Sequence, residues 1–228
     1  MNSTRLFSTE LWESIAGLRA EIDALPFLTA LEDGTLDPEL FRHYLAQDAH
    51  YLATYSRVLS NAAGRADRAG LADEAAFWAA SAASALDTER ELHAAHVSDF
   101  TAVAPSPACT AYLAYLLELA GTGYPDVVAG VLPCFWIYED VGRRLADRVG
   151  DLDGHRYADW IGTYGDAGFA AATDRARAIL DRVATDATAD DRERMRRAFT
   201  TASAHEWSFW DAAWRHTPAP TTTPTPMP

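Results

Sequence analysis

A carboxylate, a thiol and a set of phenols occur in this chain at spacings that suit chemistry. Tyr44, Asp48, Tyr51 and Tyr55 fall at i, i+4, i+7 and i+11, so a helix carries them on one face. Beside them, Phe41, Leu45, Leu52 and Leu59 form an apolar stripe that places this face at the border of a core. Tyrosines offer flat walls with a hydroxyl at the rim, suited to sandwiching a heteroaromatic ring; alternatively, Asp48 simply accepts hydrogen bonds from tyrosines or a neighbouring helix. In VLPCFWIYED (131–140), Cys134 and Tyr138 lie one helical turn apart, directly after Pro133. A proline inside a helix costs about 3 kcal/mol, so this one is expected to kink the helix, free a carbonyl near Ala129 or Gly130, and aim the thiol into a cavity. The plainer reading of Cys134 is inert packing, which is also the reading for Cys109 at a helix start. In SAHEWSFWDAAW, Glu206 precedes Trp210 by one turn. Packed among indoles, its carboxyl would be desolvated and raised toward general-acid range; otherwise it is a surface carboxylate beside a tryptophan-rich face. Trp160 and Tyr164 repeat the aromatic pairing.

The histidines do not make a convincing metal set. A di-iron bundle needs Glu-x-x-His motifs, but Glu89 and His93 are one residue too far apart; His96, His43, His50 and His205 are scattered. No metal and no other cofactor is expected.

Helical apolar spacing runs through almost the whole chain. Segments 7–25, 37–66, 72–100, 106–123, 123–150, 155–187 and 189–216 read as helices, with Asp37 as N-cap and Pro38 at the first helical position of the second. No alternating strand is evident. The expectation is an all-α, single-domain bundle of about seven main helices over residues 1–216, followed by a disordered Pro/Thr-rich tail at 217–228. A net charge of −14 disfavours nucleic acid and acidic membrane surfaces as partners, and no stretch approaches the length of a membrane span. Two cysteines and no signal-like start point to free thiols in a cytoplasmic protein that acts on a small molecule.

From about residue 8 to 216 the chain resembles the TenA family of thiaminase II or aminopyrimidine aminohydrolases. The blocks that carry the resemblance are FLTALEDGTL (27–36), FRHYLAQDAHYL (41–52), LPCFWIYEDVG (132–142), YADWIGTYG (157–165) and EWSFWDAAW (206–214), in that order. The resemblance implies a haem-oxygenase-like helical fold and a homotetramer. It also implies a site built from Asp48, Tyr51, Tyr112, Cys134, Tyr138, Tyr164 and Glu206, with Tyr115 an alternative to Tyr112. The cysteine matches the members that resemble thiaminase II rather than those with glutamate at that position. Ala49 and His50, where aromatic residues are common in the family, are departures at the pocket wall.

The implied substrate is a 4-amino-2-methylpyrimidine with an amine on its C5 methylene: 4-amino-5-aminomethyl-2-methylpyrimidine, with thiamin as a weaker substrate. A thiolate adding to ring C6 would break aromaticity and let the ring expel the amine; water then adds to the methylene and the thiolate departs. Cys134 is the expected nucleophile and Glu206 the acid/base. Asp48 would accept from an amino group, and Tyr51, Tyr112, Tyr138 and Tyr164 would surround ring and thiol. Two readings compete with this hydrolase: a non-catalytic pyrimidine-binding or regulatory protein, and a metal-dependent oxidase on the same scaffold.

Overall fold

The computed structural model describes residues 5–96 and 103–216, with the side chains of 88–96 outside that description. The expected tail at 217–228 and the Glu89, His93 and His96 side chains therefore lie outside the described residues. The chain is all-α: α1 (Phe7–Ser14), α2 (Ala16–Asp23), α3 (Pro26–Glu32), α4 (Pro38–Arg68), α5 (Ala72–His96), α6 (Pro107–Ala120), α7 (Tyr124–Val149), α8 (Ala158–Gly165), α9 (Ala167–Thr185) and α10 (Ala189–Trp214). No described helix is long and apolar enough to cross a membrane.

Ten described helices replace the expected seven because two long candidates break and a short one was not foreseen. The 7–25 segment divides at Ile15 (φ −104°, ψ 16°), which leaves helical geometry while keeping its side chain in the core. Its position bears no Gly or Pro, so apolar spacing alone shows one helix there. Pro26 then opens α3, whose Phe27 and Leu31 are fully buried. The 155–187 segment divides at Asp166, which turns extended (ψ 145°) and accepts a hydrogen bond from the Gly168 N–H (2.6 Å) as N-cap of α9. Asp37 caps α4 as its sequence suggests, accepting from the Glu39 N–H at 2.8 Å.

α4 lies along α5, α10 along α7, and α6 fits between α4 and α10; α8 and α9 cover the other side of α7. α7 runs unbroken through Pro133. The carbonyl met by a phenol lies beyond the two expected ones: the Tyr55 O–H donates to Val131 at 2.7 Å. The N-terminal helices are fastened by a four-layer stack. Trp12 and Trp136 lie face to face at 4.2 Å, and the Arg19 and Arg177 guanidinium groups each sit 4.2 Å over an outer ring face.

α8 approaches α7 closely enough to require glycine. A Cβ on Gly142 would lie 2.5 Å from the Tyr164 carbonyl carbon and 2.6 Å from its Cβ. Gly142 thus fixes the height of Tyr164 above α7. Gly142→Ala should lower the unfolding free energy by about 1–3 kcal/mol. Gly162→Ala on α8, where a Cβ meets nothing within 4 Å, should leave stability unchanged or gain up to about 1 kcal/mol. Urea denaturation of the two variants checks the contrast.

Candidate active site

Four helices deliver side chains to one buried cluster. Glu206 on α10 is 1% exposed, and its Oε1 accepts the Tyr112 O–H from α6 at 2.6 Å. The Tyr112 oxygen in turn accepts the Tyr51 O–H from α4 at 3.4 Å. The Tyr51 and Tyr55 hydroxyls both reach the Cys134 thiol on α7 as hydrogen-bond partners. Both phenols act on the sulfur as donors that favour its thiolate, beside the Tyr51 hydrogen bond to Tyr112 and the Tyr55 hydrogen bond to the Val131 carbonyl. The hydrogen bonds run one way from Tyr51 to Tyr112 to Glu206, and the Cys134 thiol meets this chain at Tyr51.

A second phenol group adjoins the first. Tyr138 and Tyr44 share a hydrogen bond at 3.2 Å, and the Trp160 indole N–H donates to Tyr44 at 3.3 Å. Tyr138 packs 4.8 Å from Tyr164 and 4.7 Å from Trp210. Asp48 is buried, and its charge is felt at Glu206 and at Cys134.

Burial sets the electrostatics. Desolvation pushes Glu206 up to about 8; the Tyr112 hydrogen bond opposes this and the Asp48 charge adds to it. Desolvation also pushes the Cys134 thiol well above its usual range, reinforced by Glu206 and Asp48 and opposed by the two phenol hydrogen bonds. At rest, then, the sulfur holds its proton.

A cavity of about 650 Å³ meets this cluster at Cys134, Tyr55 and Tyr164. Asp48, Glu206, Tyr51, Tyr112 and Tyr138 are brought together with the thiol but stand behind that wall rather than on it. Of the two candidates on α6, Tyr112 meets Glu206, while the Tyr115 O–H is spent on the Ala198 carbonyl at 2.8 Å. Cys109 is fully buried, its thiol 3.6 Å from the Gln47 carbonyl and pushed up to about 12 by burial. Ala49 and His50 do not line the cavity; a His50 ring nitrogen lies 2.7 Å from the Val103 carbonyl. Among the described residues, no group of three or more His, Cys, Asp or Glu is placed to hold a metal.

Spacing places two further contributors on the right helix face without giving them a role in the site. Tyr55 was visible on the Tyr51 face, one turn on, yet only its position opposite Val131 and Cys134 shows its use. Tyr44, on the same face, supports Tyr138. The cavity's phenylalanines, Phe77, Phe135 and Phe169, come from three helices and share no sequence signal.

A model of the TENA/THI-4/PQQC family matches residues 18–216. The thiamine biosynthesis multifunctional protein ThiED of Corynebacterium glutamicum is 40% identical over 211 residues, which cover 92% of this chain and 27% of that protein. The aminopyrimidine aminohydrolase of Bacillus subtilis is 31% identical over 196 residues, 83% of this chain and 82% of the relative. The chain thus spans about a quarter of the ThiED relative but most of the aminohydrolase. A domain from Shewanella denitrificans with a heme oxygenase-like fold superposes with a TM-score of 0.68 at 18% identity, covering 90% of this chain and 91% of that one, a likeness of fold.

The raised Glu206 carboxyl links stability to pH. Its value is 4.5 when exposed and about 8 when folded, so between these the native state binds the extra proton. The stabilisation is complete below pH 4.5 and is lost as pH rises through 8. Glu206→Gln, which cannot titrate, should therefore gain on the parent as pH rises from 5 to 9, by up to roughly 4–5 kcal/mol. Denaturant titrations of both proteins across that range check the sign.

Proposed function

The chain belongs to the TENA/THI-4/PQQC family, and on that premise we propose that it is an aminopyrimidine aminohydrolase of the thiaminase II type. Its substrate is 4-amino-5-aminomethyl-2-methylpyrimidine, with thiamin turned over less well, and the products are the hydroxymethylpyrimidine and the free amine. The observation that carries the reading is the pair of phenols, Tyr51 and Tyr112, that joins the Cys134 thiol to the buried Glu206 carboxyl by hydrogen bonds. A non-catalytic pyrimidine binder has no use for a nucleophile wired to an acid.

The path resolves a difficulty that burial creates. Cys134 is a poor nucleophile while its thiol is protonated, and Glu206 near 8 is mostly protonated at neutral pH. The pyrimidine enters past Cys134, Tyr55 and Tyr164 and displaces this wall to lie among the buried side chains. When Glu206 gives its proton to a ring nitrogen there, the resulting carboxylate draws a replacement through Tyr112. Tyr112 takes the Tyr51 proton, Tyr51 takes the thiol proton, and sulfur adds to ring C6. Ring protonation and thiolate formation are thereby coupled, and neither charge stands alone in the interior. The ring electrons then break the methylene C–N bond, and the amine leaves with the proton that Glu206 has regained. Water adds to the methylene and gives its proton back to Glu206, after which the S–C6 bond breaks, the ring nitrogen's proton returns to the sulfur and the aromatic ring is restored. Asp48 accepts from the exocyclic or departing amino group; Tyr138 and Tyr164 flank the ring. The reading includes cytoplasmic location and a homotetramer, as the family resemblance implies.

Cys134→Ser should abolish turnover of the aminopyrimidine while the fold, followed by circular dichroism, is retained; near-normal turnover would remove the nucleophile. Tyr51→Phe interrupts the path and should lower kcat by about 10²-fold or more. Because Glu206 acts as an acid, kcat should fall as pH rises past about 8. Tyr112→Phe deletes the hydrogen bond that holds Glu206 down. It should move that alkaline limb to higher pH while lowering kcat, and a limb unmoved in the pH–rate profile would detach Tyr112 from Glu206.

A further inference from the structure

Ahead of α6 the chain reads Val103-Ala104-Pro105-Ser106-Pro107. Proline has no N–H, so residues 105–107 offer a single backbone donor, that of Ser106. Gln47 takes it. From α4, its Oε1 accepts the Ser106 N–H at 2.6 Å, while its Nε2 donates to the Ala104 carbonyl at 3.2 Å. His50, on the same helix, meets the Val103 carbonyl at 2.7 Å. Gln47 is buried, so water does not readily replace either of its bonds. No step of the proposed reaction uses this amide.

Its position gives it a use. Ser106 is the N-cap of α6 and accepts the Cys109 N–H on its Oγ at 3.1 Å; the Cys109 thiol lies 3.6 Å from the Gln47 carbonyl. One turn farther along both helices, the Tyr51 and Tyr112 oxygens are 3.4 Å apart and their ring centroids 4.8 Å apart. α4 and α6 therefore run side by side in the same direction, and the amide pegs the first turn of α6 one turn before the phenol pair. The prolines on either side of Ser106 have fixed φ, so a shift at the peg passes into the helix instead of being absorbed by the connection. A slip of one residue, about 1.5 Å of rise, would take the Tyr112 O–H beyond bonding distance of Glu206.

We propose that Gln47 is a positioning residue: by fixing the height of α6 along α4, it holds the Tyr112 hydroxyl on the Glu206 carboxyl. The hydrolase reading supplies the use of that bond, while the bond and its peg belong to the fold. Glu206 also faces Asp48 and the tyrosines of α4, Cys134 and Tyr138 on α7, and Tyr164 on α8. On α6 the group it meets is Tyr112. A displaced α6 therefore acts on Glu206 through that phenol.

The test titrates the Glu206 carboxyl by infrared spectroscopy, its band identified as the one absent from Glu206→Gln. Gln47→Met keeps the side-chain length and removes both hydrogen bonds. It should raise the Glu206 midpoint by at least about half a pH unit, a fraction of the rise given by Tyr112→Phe. In the Tyr112→Phe background the same change should move the midpoint by less than about 0.2 pH unit, because the bond it protects is already gone. Ser106→Ala removes the helix cap and leaves the Gln47 bonds, so it should lower the urea midpoint yet leave the Glu206 titration in place. A titration unmoved by Gln47→Met, an equal shift from Ser106→Ala, or an undiminished shift in the Tyr112→Phe background overturns the inference. Should Gln47→Met not fold, Gln47→Asn, whose amide falls one methylene short of Ser106, is judged by the same criteria. In an active protein, Gln47→Met should also lower kcat about tenfold or more with KM within about twofold, and an unchanged kcat counts against the positioning role. If the parent hydrolyses no aminopyrimidine, the hydrolase reading fails, and the infrared titration decides Gln47 separately.

Discussion

The hydrogen bond between Tyr112 and Glu206 is the interaction around which the site is organised. A carboxyl that is 1% exposed must remain protonated or find donors, and among the described residues the fold supplies one phenol, at 2.6 Å. That single donor leaves the acid raised to about 8 instead of returning it to the ordinary carboxylate range. Satisfying it completely, with several N–H groups or an arginine, would have produced a more stable and chemically idle anion. The requirement also dictates the neighbours. Tyr112, with its proton given to Glu206, accepts the Tyr51 O–H, and Tyr51 in turn adjoins the thiol.

Such an arrangement needs the helices to be held at fixed heights, because each link comes from a different one. The backbone contact between Gly142 and Tyr164 sets α8 on α7, and the capping aspartate at 166 turns the chain so that α8 and α9 border one cavity. On the opposite flank, the Trp12–Trp136 stack and the Ser8–Asp181 hydrogen bonds, both 2.7 Å, tie the N-terminal turns to α7 and α9. These contacts carry no chemistry themselves. They remove the freedom that would let a thiol 72 positions distant in sequence from its acid partner drift out of register.

Much of this was legible in the chain. The all-helical class follows from apolar spacing, and the start of α4 from Asp37 and Pro38. The shared face of Asp48, Tyr51 and Tyr55 follows from multiples of a helical turn. What could not be read depended on partners remote in sequence. Near Ile15, Gly17 weakens the helix but the apolar spacing runs on past it, so the break, which comes with burial against other helices, stays hidden. Gly165 and Asp166 did offer a stop and a cap, but the apolar pattern on either side remained in phase and concealed them. The role of Tyr55 depends on a carbonyl 76 residues away, and the wall of Phe77, Phe135 and Phe169 is assembled from α5, α7 and α9. Spacing shows which side chains share a helix face; it does not show which faces meet.

Keeping the sulfur of Cys134 protonated has a consequence for the protein's survival. Thiolates, not thiols, attack peroxides and disulfides, and a cysteine that titrates far above neutrality reacts with them slowly. A nucleophile that becomes anionic only while its acid partner is delivering a proton elsewhere is shielded during every idle interval. Cys109 is sealed in the interior, whereas Cys134 is half-buried at the cavity wall, so protonation rather than enclosure is what protects the reactive sulfur.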